Sequence, residues 1–246
     1  MKFKTHYIML LALTTAVISC KKDNYAEPTS NLKGHLVYKG EAIQVEYNQV
    51  PFEIYQPGFG KTGPLGVFTN PANTNLNTTT VFAQDGSYSL LLFDGNYKFV
   101  VRNGQGPFIW KQTGANTPDT MAITINGSQT LDFEVEPYYM VRNPAITVAG
   151  RVVSGSFKAE KIITDTRAKN IETVALYVNK TMFVSKVDNI AVTTVAGSAV
   201  TDPNNIKLDV TVPAIVPTQN YVFARIGVKT TGVEDWIFSP VVKLNL

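Results

Sequence analysis

The chain has 246 residues, 44% of them hydrophobic, with 22 Lys and Arg set against 19 Asp and Glu. That composition supports one or two packed domains and lacks the basic surplus that nucleic-acid binding requires. A single cysteine leaves no internal disulfide, and His35, the one histidine beyond the first thirty residues, cannot by itself build a usual zinc site.

Lys2 and Lys4 form a basic start, and an apolar run extends from Tyr7 to Ile18. At about a dozen residues the run fits the 7–15-residue apolar core of a signal peptide and falls short of the roughly 20 needed to span a bilayer. Val17-Ile18-Ser19-Cys20 is a loose lipobox, with small Ser19 just before the one cysteine. A thiol at a new N-terminus can carry diacylglycerol while the freed amine is acylated. Each buried CH₂ adds ~0.8 kcal/mol, so several chains anchor stably where one does not. Residues 1–19 are therefore expected to be a signal peptide, Cys20 the lipidation site, and 20–30 a lipidated tether that joins the protein to a membrane. Removing 1–19 takes away Lys2 and Lys4 and no acid, so the remainder is close to neutral.

From Asn31 onward no helical periodicity appears. Apolar and polar residues alternate, or β-branched blocks fall between Gly, Pro, Asn and Asp clusters, which predicts an all-β chain. Strands are predicted at 32–38 and 50–55, followed by a long Gly-, Pro-, Asn- and Thr-rich stretch over 56–80 that could hold a short strand at 65–68. In 81–102, Asp85-Gly86 and Asp94-Gly95 separate runs with matched apolar faces (Tyr88, Leu90 and Leu92; Tyr97, Phe99 and Val101), which predicts a meander of two hairpins. A loop with Phe108 and Trp110 follows, then a hairpin across Asn126-Gly127. The segment 136–144, bracketed by Pro137 and Pro144, is read as a close-packed domain boundary. Strands at 145–153, 156–163, 173–178, 181–185, 206–212, 219–230 and 236–246 then predict a second sandwich of the immunoglobulin or fibronectin type III kind. The fold class is all-β: two consecutive β-sandwich domains, 31–137 and 138–246, after a lipoprotein signal peptide.

Catalytic chemistry finds little support. His6 falls in the signal segment, and His35 lies inside a strand with no Gly-x-Ser-x-Gly elbow in the chain. Asp85, Asp94, Asp119 and Asp202 read as turn residues, not as an alternating calcium loop. Glu134 and Glu136 share a face but read as solvated. Gly58–Gly63 lacks full Walker spacing and no helix follows it. No catalytic residue, metal site or cofactor is expected. Aromatic residues in or beside loops are the candidate ligand-binding set: Phe108, Trp110, Phe59 and Trp236. Their faces could stack on sugar rings, or they could cap the sandwiches and fill the domain contact.

The stretch 84–98, with Asp85-Gly86-Ser87-Tyr88 and Gly95-Asn96-Tyr97, resembles transthyretin-like or carboxypeptidase-regulatory-like β-sandwiches. The whole chain resembles a family of two-domain lipoproteins from Bacteroidetes polysaccharide-utilisation loci. The residues that carry this likeness are 92–98, Asn103-Gly104-Gln105-Gly106-Pro107-Phe108, Glu136-Pro137-Tyr138-Tyr139 and 171–181. The resemblance implies display at the outer membrane beside Sus-like transporters and a role near polysaccharide capture. It brings no catalytic residue with it. The leading expectation is thus a non-catalytic, lipid-anchored accessory to polysaccharide binding or uptake. The alternative is a structural spacer that positions protein partners without touching glycan.

Overall fold

A computed structural model describes residues 26–57, 80–115 and 117–246. The signal segment 1–19, Cys20, most of the tether, Phe59 and the Gly- and Pro-rich stretch at 58–79 lie outside the described residues. Among the described residues the elements are strands and one short 3₁₀ turn at Gly197–Ala199, with no α-helix. The protein is all-β, in two consecutive domains.

The first domain is built on the strand Ser30–Tyr38. Its alternate residues Leu32 and Leu36 are fully buried. It pairs antiparallel with Ser87–Leu92 and parallel with Gln129–Thr130 and Phe133–Glu134. Gly34 permits the parallel approach: a Cβ there would lie 1.8 Å from the carbonyl oxygen of Leu131. A second sheet holds Glu53–Tyr55, Gly95–Val100 and Met121–Ile125. The two sheets meet through aromatic rings. Phe99 stacks on Phe133 with centroids 3.9 Å apart and on Phe52 at 4.8 Å, and it also meets Tyr88 and Trp110.

This arrangement corrects the predicted meander. Asp94-Gly95 and Asn126-Gly127 are not hairpin turns within one sheet. Each carries the chain from one sheet to the other, so both inner faces are covered. One carboxylate ties these crossings together: Asp94 accepts hydrogen bonds from the Ser30 hydroxyl (2.5 Å) and the Gly127 N–H (2.9 Å). Both bonds hold the Asp94 carboxyl below its usual pKa range, the Ser30 bond most strongly.

The first strand of the second domain begins earlier than predicted. The strand Tyr139–Ala149 runs through Pro144 by shifting register between Arg142 and Ala145. It forms a three-stranded sheet with Val152–Lys161 and Ile206–Thr211. The facing sheet is ordered Ala191–Ala196, Ile171–Asn179, Tyr221–Thr230, Trp236–Phe238, with Val242–Asn245 continuing beside Tyr221–Thr230. The strand predicted at 181–185 is a loop, and the edge strand is Ala191–Ala196. Residues 181–185 are apolar because Val184 is buried beside Tyr177, Trp236 and Phe238, while the Ser185 hydroxyl accepts the N–H groups of Val187 and Asp188 and turns the chain.

The two domains share one continuous buried core. They also join by backbone: the Phe238 N–H donates to the Gln44 carbonyl at 3.0 Å. At the centre of this junction lies Arg225, whose side chain is fully buried. Its guanidinium lies over the Phe238 ring at 4.2 Å and donates to the carbonyls of Ser239 (2.8 Å) and Gln84 (2.7 Å), with a longer contact to Val184. Gln84 belongs to the first domain, Ser239 and Val184 to the second. Burial pushes Arg225 down to about 9, against the opposing fields of Glu46 and Asp85, so it remains charged at neutral pH. An Arg142–Glu41 ion pair spans the same junction nearer solvent.

Phe99 touches both sheets of the first domain, so Phe99→Ala is expected to destabilise it by about 3–5 kcal/mol, the usual cost of an emptied aromatic site. Urea denaturation followed by tryptophan fluorescence measures this. A loss under about 1 kcal/mol would contradict the packing described.

Candidate functional site

A cleft of about 750 Å³ opens where the 102–115 region of the first domain faces 166–169 and 232–233 of the second, with Tyr138 between them. Its first wall follows from the strand Phe108–Ile109, which pairs antiparallel with Glu136–Pro137. That pairing, with the Tyr138 N–H donating to the Pro107 carbonyl (3.1 Å), fixes the loop before Phe108 against the domain boundary. Gly106 makes the turn possible. Its φ is +79°, and a Cβ would lie 2.4 Å from the Phe108 ring.

The wall is polar at its surface. Gln112 donates from Nε2 to the Asn103 side-chain oxygen (2.9 Å) and to the Trp110 carbonyl (2.7 Å). The Gln112 Oε1 is buried and accepts no hydrogen bond among the described residues. Arg102 pairs with Glu53. On the opposite wall Arg167 pairs with Asp165 (2.6 Å) and Glu136 (3.0 Å), and hydrogen bonding to Asp165 is the main reason its pKa is raised. The Lys169 ammonium lies 5.5 Å from the centre of the Tyr138 ring. Tyr138 is half-buried, and burial raises its hydroxyl pKa. Arginine, glutamine, asparagine and tyrosine are the planar or rigid polar groups that hydroxyl-rich ligands require.

Behind the cleft a carboxylate crosses the domain boundary. Asp235 is 4% exposed and accepts the Gly106 N–H at 2.8 Å. Burial pushes its pKa up to about 6, helped by Glu234 and Glu46 and opposed by the Gly106 hydrogen bond and Lys229. This bond fixes the loop of one domain to the 232–236 turn of the other.

The aromatic candidates behave differently from the exposed platform considered above. Phe108 and Trp110 touch the cleft but are only 4% and 3% exposed, and the Trp110 indole N–H donates to the Asp119 carbonyl (2.7 Å). Their faces are spent on core packing. Trp236 is 4% exposed and stacked on Phe238 beneath the first domain. These three cap sandwiches and fill the domain contact, so they are not free stacking faces. Phe59 lies outside the described residues. His35 sits on an exposed strand position with its N–H donated to Asp132. Asp85 and Asp202 accept local N–H groups in turns, Asp94 joins the two sheet crossings, and Asp119 pairs with Lys111. No group of three or more metal-ligating side chains occurs among the described residues.

Sequence reasoning missed Gln112, Arg167, Lys169 and Asp235. Only Arg225 and Asp235 left a trace in the pattern. One is a charge in mid-strand, two residues after Phe223 on the same face; the other is an acid directly before a buried Trp-Ile-Phe run.

A tandem β-sandwich with a shared core and a polar cleft between its halves is the class that the fold and site define. Residues 30–136 match the domain described as "Protein of unknown function (DUF3823) N-terminal domain", and residues 139–243 match "Domain of unknown function (DUF3823_C)". The chain belongs to this two-domain DUF3823 family. It is similar to the crystal structures of a DUF3823 protein from Parabacteroides merdae (28% identity, TM-score 0.73) and one from Bacteroides ovatus (26%, 0.72). Each comparison covers 89% of this chain and all of the other. A proposed carbohydrate-binding protein from Bacteroides uniformis shares the fold at 18% identity and TM-score 0.66, with the same coverage. No curated protein matches the chain.

The Asp235 carboxyl gives a pH test. Its folded pKa lies above the ordinary 3.8, so its stabilising share is fully present below that value and is lost as pH rises through about 6. The stability of the native protein relative to Asp235→Asn should therefore fall by ~2 kcal/mol between pH 4 and 7. Urea denaturation of both proteins across that range is the measurement. A difference that stays flat or grows with pH contradicts the burial assigned to Asp235.

Proposed function

We propose that this chain is a non-catalytic surface lipoprotein. It is held at the outer membrane through lipid on Cys20 and binds polysaccharide in the cleft between its two domains, as an accessory to a Sus-like uptake system. The observation that carries the reading is the cleft itself. It presents side-chain amides, guanidinium groups and a tyrosine around an opening large enough for one or two sugar rings. The lipobox at 17–20 supports the anchor, and the name given to the Bacteroides uniformis relative points the same way on ligand class.

A spacer role remains the second reading because of one observation. The aromatic residues best placed for stacking are buried in the core and junction, as a rigid connector would have them. Direct binding separates the two. The full chain in detergent is expected to bind at least one polysaccharide on a glycan panel, and Tyr138→Ala should weaken that binding by about tenfold, as the loss of one good polar contact does. Absence of binding to every glycan, together with capture of transporter proteins, would replace the binding role with the spacer role.

A further inference from the structure

The charges around the cleft are one-sided. Arg102, Arg167 and Lys169 line it, and among the described residues no aspartate or glutamate does. The carboxylates that balance the arginines, Glu53 on Arg102 and Asp165 and Glu136 on Arg167, are not among the lining residues. Lys169 differs from both. No carboxylate lies within ion-pair distance of its ammonium among the described residues. The side chain is half-buried, and the ammonium sits over the edge of the cleft between Tyr138 and Gly232, 3.6 Å from where a Cβ on residue 232 would stand. An unpaired, partly desolvated cation in a concave site focuses field into that site.

From this one-sided charge and the unmatched Lys169 ammonium we infer that the cleft takes an acidic saccharide, with the sugar's anionic group against Lys169. This rests on the cleft being the glycan site proposed above and names the class of glycan. A neutral glycan would leave Lys169 unmatched, whereas a uronate or sulfate-ester sugar meets it. A planar carboxylate also suits the exposed Arg102 guanidinium.

The test compares polygalacturonate, its fully methyl-esterified form, a sulfated galactan and neutral dextran by titration against the full chain in detergent. Polygalacturonate or the sulfated galactan is expected to bind at least tenfold more tightly than the ester and dextran, and the preference should weaken as salt rises from 50 to 500 mM. Lys169→Gln should remove most of the preference. Lys207→Ala, which deletes an exposed charge on a distant strand, should leave it intact; equal loss in both variants would mean net charge alone is responsible and overturns the inference. Equal binding of polygalacturonate and its ester, both lost in Tyr138→Ala, would overturn the inference and leave the glycan reading standing. No binding of any of the four would overturn both.

Discussion

Arg225 is the constraint on which the rest of the arrangement depends. A guanidinium buried without hydrogen bonds would cost several kcal/mol, so its N–H groups dictate where neighbouring carbonyls must lie. Those carbonyls come from three chain segments in two domains: Gln84, Val184 and Ser239. The Gln84 carbonyl also accepts the Val45 N–H, which ties Arg225 to the segment whose Gln44 pairs with Phe238. The outer face of the second domain's larger sheet is then roofed by the first domain. Tyr177, Trp236 and Phe238 form a small apolar cluster under that roof. Nothing about a free-standing fibronectin-like sandwich would call for an arginine there; the first domain gives it a reason.

The cleft is a consequence of that junction. Its walls belong to different domains, and their separation is set by the Arg225 contacts on one side and the Asp235–Gly106 hydrogen bond on the other. Neither half of the chain contains the site by itself. This also explains the burial of Phe108 and Trp110. They support the loop that forms the first wall and hold Gln112 and Gly106 in place.

Much of the fold was legible in the sequence, because alternation and turn residues are local signals. The strands at Ser30–Tyr38, Ser87–Leu92, Gly95–Val100 and Tyr221–Thr230 could be read directly. What failed was partner choice. Asp94-Gly95 supplies the backbone of a tight turn whether the next strand pairs beside the last or crosses to the facing sheet, and only tertiary packing decides. Likewise Val184 of 181–185 enters a buried cluster without pairing as a strand, whereas Ala191–Ala196 pairs as an edge whose residues alternate between half-buried and exposed. The site was less legible still. Lys169 and Arg167 look like ordinary surface charges until the second domain is set against the first. Phe108 and Trp110 touch the cleft, and with Trp236 they fill the core and the domain contact, the second of the two roles their pattern allowed.

If Arg225 and its partners make the two sandwiches one unit, the protein should unfold as one. Differential scanning calorimetry of the full chain tests this most directly. The account predicts a single transition whose van't Hoff and calorimetric enthalpies agree, and which splits into two when Arg225 is replaced by methionine. Two resolved transitions in the unaltered protein would contradict it.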